Sequence, residues 1–172
     1  MKTIVVGLGN PILGDDGVGW QIARQLQERS DFPPNIDVDC LSVGGISLME
    51  RLIGYERAIL IDSFVTNKNP IGTLLCFSLA ELPNRALGHI CSAHDTTLQN
   101  AIKIGQELGA QLPKEITVVA VEVQDVFDFS EQLTPTVAAA VPTAIQVIID
   151  LLGCGFNSQV QQTDQRIPQK VT

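Results

Sequence analysis

TIVVGLGNPILGDDGVGWQIARQLQE, Thr3–Glu28, decides the fold. Its first residues are continuously apolar and β-branched, which predicts a central parallel strand over Thr3–Gly7. Gly7 and Gly9 permit a close backbone turn. Val18, Ile22, Ala23 and Leu26 then recur at helical spacing, predicting a helix over Gly17–Glu28. Strand, glycine turn and helix make the opening of a βαβ unit. Asp15 and Asp16 stand in the turn, where a carboxylate can cap the helix start.

The same alternation continues. Strands are expected at Ile36–Ser42, Arg57–Ile61, Thr73–Phe77 and Ile116–Val123, with helices around Ser47–Ile53, Thr96–Leu108 and Thr134–Leu152. Pro135 suits a first helical position, and Pro142 should kink or divide the last helix. Such an order implies an α/β three-layer αβα sandwich on a twisted, mainly parallel five-stranded sheet, with room for one antiparallel edge. Ala86–His94 and Asp125–Gln132 read as connections. One domain is expected over residues 1–156, followed by a polar, flexible tail over 157–172.

The chain has 172 residues, 45% of them hydrophobic and 17% charged, with mean hydropathy +0.20. This is the composition of a compact soluble domain. Net charge −8 disfavours a nonspecific grip on nucleic acid. The first residues lack a secretory pattern, and the later apolar runs read as too short or interrupted to cross a membrane. Cys40, Cys76, Cys91 and Cys154 form no CxxC pair. Buried free thiols, and with them a cytoplasmic location, are the expectation.

Asp16, Asp62 and His94 each fall just beyond a segment read as strand or at a loop following one. In an open α/β fold, the carboxyl ends of parallel strands form the usual ligand crevice. Two carboxylates and an imidazole there suit a metal site with open positions. Taken singly, each has a plainer role: a helix cap for Asp16, a turn for Asp62, a satisfied loop histidine for His94. Because an isolated buried carboxylate is costly, Asp62 is expected to lie at the sheet's rim, bind backbone amides or meet a cation. His89 lacks comparable neighbours.

Other chemistries fit less well. The glycine loop superficially suggests a dinucleotide fingerprint, but Asn10 and Pro11 interrupt it and Ile12 stands where a third glycine belongs. The two carboxylates would also repel a pyrophosphate. GxSxG and HExxH are absent, and no Cys–His protease motif surrounds a cysteine. Peptide hydrolysis would therefore require a metal or another means of activating water.

The pattern resembles the hydrogenase maturation proteases over roughly Met1–Leu152. The resemblance rests on GLGNPILGDDGVG (Gly7–Gly19), SVGG (Ser42–Gly45), the strand-end Asp62, SAHD (Ser92–Asp95) and LTPTVAAAVPTAI (Leu133–Ile145), in that order. It implies an endopeptidase, grouped with the aspartic type and metal-assisted, that removes the carboxyl-terminal peptide from the nickel-loaded large-subunit precursor of a nickel–iron hydrogenase. The family's metal-contacting positions fall on Asp16, Asp62 and His94. Asp16 replaces a commoner glutamate and so shortens its reach. SVGG departs from a commoner threonine-containing loop, though Gly44 and Gly45 would still admit a substrate backbone; Asn10 is a further substrate-loop candidate. Nickel is implied mainly as part of the substrate, with no organic cofactor, nucleic acid or membrane partner and a monomer when free. Two other readings are a non-enzymatic, metal-dependent maturation-binding module and, from GLGNP alone, a peptidyl-tRNA hydrolase. The latter lacks its early histidine.

Overall fold

The computed structural model describes residues 1–81, 97–124 and 129–153. Five strands form one sheet: β1 (Thr3–Leu8), β2 (Ile36–Leu41), β3 (Arg57–Phe64), β4 (Leu74–Ser78) and β5 (Glu115–Glu122). Among the described residues four α-helices accompany them: α1 (Val18–Gln27), α2 (Gly45–Arg51), α3 (Leu98–Glu107) and α4 (Pro135–Gly153). The sheet order is β2-β1-β3-β5-β4. Every pairing is parallel except that of β4 with β5. The expected sandwich and its antiparallel edge are both present.

Alternation of side chains across the sheet builds two cores. Ile4, Val6, Leu8, Leu60 and Val118 pack with Leu48 and Leu52 of the α2 region and Leu98 of α3. Val5, Ile59, Ile61, Val119 and Val121 pack with Ile22 and Leu26 of α1 and Val137, Val141 and Ile148 of α4. β1 and β3 are buried throughout, as continuous apolar strands between two helical layers should be.

The chain passes from β1 outward to β2, then crosses back to β3 on the other side of β1. This reversal places a topological switch point at the carboxyl ends of β1 and β3. Pairing between them ends at Gly7 opposite Ile61, whereas β3 continues beside β5 as far as Phe64 opposite Glu122. β3 is therefore longer than expected, and Asp62 lies within it. Thr66–Asn69 leaves β3 under the control of buried Glu122. Its carboxylate accepts from Thr66 N (2.7 Å), Thr66 Oγ1 (2.6 Å) and Asn67 N (2.9 Å).

Several expectations require correction. Neither Asp15 nor Asp16 caps α1: a 3-10 turn over Gly14–Gly17 precedes the helix, whose N-cap is Gly17 without a side-chain bond. Pro142 does not divide α4, which runs as one helix through it with the proline on its exposed face. That helix, with mean hydropathy 1.7 over its window, is long and apolar enough to cross a membrane by length and composition. Here Val137, Val141, Ala144 and Ile148 pack on the sheet, with Thr136, Thr143, Gln146 and Asp150 on the other side. Cys40 is half-buried and Cys76 exposed, because both occupy outer strands. The tail, His89, His94, Cys91 and Cys154 lie outside the described residues.

α1 lies directly on strand backbone. A Cβ on Gly19 would sit 2.3 Å from the Ile61 carbonyl oxygen and 2.5 Å from that of Leu8. Gly19→Ala should therefore lower stability by about 1–3 kcal/mol through forced separation of helix and sheet. Gly153→Ala, facing open space in a helix, should be neutral or stabilising by a few tenths of a kcal/mol; urea unfolding measures both. Glu122→Gln should cost about 1–3 kcal/mol, because its amide turns donors toward donors.

Candidate active site

Asp16 is positioned by a loop folded tightly against itself. Gly9 adopts φ +127°, and a Cβ there would meet the Asp16 carbonyl oxygen at 2.0 Å. Glycine is thus required twice over, for conformation and for space. Asn10 N donates to Asp16 Oδ2 (2.8 Å), fixing one carboxylate oxygen. Ser63 Oγ lies 3.4 Å from the other, Oδ1, as its donor.

Asp62 is fully buried. Its Oδ1 accepts from Ser63 N at 2.9 Å. The carboxyl group thus sits inside β3 and not at the rim, bonded to a backbone amide, which is one of the alternatives that the desolvation argument allows. Local amide bonding offsets part of that cost. Asp62 shares the sheet face of Leu60, whereas Ser63 shares that of Ile61. Ser63 therefore links the two aspartates, through its hydroxyl to Asp16 and its amide to Asp62. Sequence reasoning missed this serine. Its only signal is a small hydroxyl residue directly after Asp62, at the end of an apolar strand.

The neighbouring aspartates have separate roles. Asp15 accepts from Thr134 N (2.7 Å) and Thr134 Oγ1 (2.8 Å), so it holds the chain just before α4. Gly14 N to Ser130 O (2.7 Å) and Ser130 N to Ile12 O (3.0 Å) reinforce this attachment. Asp16 is left to face the switch point. It is half-exposed, in contrast to Asp62.

The substrate-loop candidates lie around the same end of the sheet. Asn10 Oδ1 accepts from Ile12 N (3.2 Å), so its side chain supports the turn. Gly44 is extended, and Gly45 opens α2 with φ +50°. Ser42 Oγ donates to Gly9 O (2.8 Å), tying the SVGG loop to the loop that carries Asp16. His94 belongs to the residues outside the description. Among the described residues, no group of three His, Cys, Asp or Glu side chains has the arrangement to hold a metal ion. Cys40 is a poor nucleophile: burial first, then Asp39, pushes its thiol up to about 11, so it stays protonated at neutral pH.

The chain is similar to known proteins over most of its length. The chain is 27% identical over 152 residues to hydrogenase 2 maturation protease of Escherichia coli strain K12, covering 88% of this chain and 91% of the relative. It is 31% identical over 159 residues to the coenzyme F420 hydrogenase subunit delta of Methanothermobacter thermautotrophicus, covering 88% and 95% respectively. The solved structure of the E. coli hydrogenase maturating endopeptidase HybD superposes with a TM-score of 0.73 at 27% identity, covering 89% of this chain and 93% of that one. The family described as hydrogenase maturation protease matches residues 20–151. With the match spanning most of the chain and the same fold in a solved relative, this protein belongs to the hydrogenase maturation protease family.

Proposed function

We propose that this chain is the endopeptidase that removes the carboxyl-terminal peptide from the nickel-loaded large-subunit precursor of a nickel–iron hydrogenase. One observation carries the reading to these residues: Asp16 and Asp62 meet a single serine, Ser63, at the β1/β3 switch point. Asp16, Asp62 and His94 are assigned to the precursor's metal centre, with nickel as part of the substrate. Carboxylates and imidazole suit a borderline divalent ion.

In this scheme the nickel supplies charge that polarises the nearby peptide carbonyl and orients water. Asp16 accepts the water proton, since it is half-exposed and has one oxygen fixed by Asn10 N. Buried Asp62, with Ser63 N on Oδ1, provides fixed negative charge toward the metal. Selectivity follows from the same groups, because an empty precursor offers these anionic side chains no cation.

Intact-mass analysis of nickel-loaded precursor should show loss of one discrete carboxyl-terminal peptide, with nickel-free precursor uncut. A stable complex without mass loss would instead identify a binding module. Asp16→Asn, Asp62→Asn and His94→Ala should each slow cleavage about 100-fold or more, the scale of losing a positioned acid–base or metal-contacting group. Normal cleavage by all three would overturn the assignment. Asp15→Ala should behave differently. It should lower stability by about 1–3 kcal/mol through its lost bonds to Thr134, while folded enzyme cleaves at near wild-type rate.

A further inference from the structure

A trough of about 510 Å3 runs beside the loop that carries Asp16, between Pro11, Ile12 and the outer stripe of α1. Trp20, the chain's only tryptophan, forms part of its wall. The Arg24 guanidinium lies 5.7 Å from the Trp20 ring centroid and pairs with Glu28 at 3.2 Å. Gln21 Nε2 donates to the Glu131 carbonyl oxygen (3.1 Å), holding the far wall in place. Ile12 remains 48% exposed. The trough thus offers an apolar and aromatic surface, side-chain amides, and two carboxylates against one guanidinium. None of these groups has a role in the chemistry at Asp16 and Asp62.

We propose that this trough is a subsite for the precursor's own chain, holding an extended segment that flanks the bond to be cut. An apolar side chain of that segment lies on Trp20 and Ile12, and a basic side chain faces Glu131. Continuity argues for this occupant: Pro11 and Ile12 directly follow Asn10, whose amide holds Asp16, so the trough adjoins the proposed site. Charge argues for the basic residue, since Arg24 pairs with Glu28 and the trough's second carboxylate, Glu131, gives it an acidic surplus. The Gln21 and Gln25 side chains can bond an extended peptide backbone, which has no sheet partner of its own. This inference rests on the proposed proteolytic function and adds how the substrate is held.

Steady-state cleavage of nickel-loaded precursor tests it. Trp20→Ala should raise KM about tenfold with kcat within about twofold, the pattern of lost uniform binding. Trp20→Phe should restore most of the affinity. Glu131→Lys, at an exposed position that leaves folding intact, should raise KM at low salt and lose much of that effect at high salt. Unchanged KM in Trp20→Phe, Trp20→Ala and Glu131→Lys, with wild type cutting normally, would overturn the subsite and leave the function standing. A fall in kcat at constant KM would also overturn it. Wild type that leaves loaded precursor uncut would overturn the function itself.

Discussion

The contact between α1 and bare backbone governs this protein. Helices normally stand off a sheet by the thickness of their side chains. Here Gly7 and Gly19 face each other, and Gly19 also lies against the carbonyls of Leu8 and Ile61. The loop entering the helix must therefore fold within the space directly above β1 and β3. Gly9 and Gly17 permit that compression, since any side chain on either would strike the loop's own backbone. Asp16 reaches Ser63 because its loop has nowhere else to go.

That compression also explains the division of labour between two adjacent, chemically identical residues. Asp15 points to Thr134 and secures the approach to α4. Asp16 points across the β1/β3 opening. Asp15 braces the scaffold, whereas Asp16 is held by its own bonds to Asn10 N and Ser63 Oγ, so the two tasks are separable. The Ser42 bond to Gly9 O extends the bracing to the loop after β2.

The layered fold was legible because β1, β3 and β5 are continuous apolar runs separated by helical periodicity. Those signals are local and strong. Asp16 and Asp62 stood out for the same reason, as charges interrupting apolar strands and glycine turns. What sequence could not supply was partnership across distance. Nothing in Asp15 distinguishes it from Asp16 until Thr134, far along the chain, is brought beside it. Desolvation left Asp62 a choice of rim, backbone amide or cation, and only the fold shows that the Ser63 amide meets it. The end of β3 was placed too early because pairing with β5, and not residue preference, carries the strand through to Phe64.

The position of α4 in chain order has a consequence for biosynthesis. Val5, Ile59, Ile61, Val119 and Val121 present one apolar face of the sheet, and much of its cover comes from α4. All five strands precede that helix in the chain. A nascent chain can thus complete its strands while half of one hydrophobic face still meets water, a state in which apolar surface invites self-association. Closure comes only when Pro135–Gly153 has emerged and Thr134 can seat on Asp15. The bond between Asp15 and Thr134 therefore forms only after every strand of the sheet has been made, so the loop after β1 is tied to the approach to α4 later than the sheet itself can assemble.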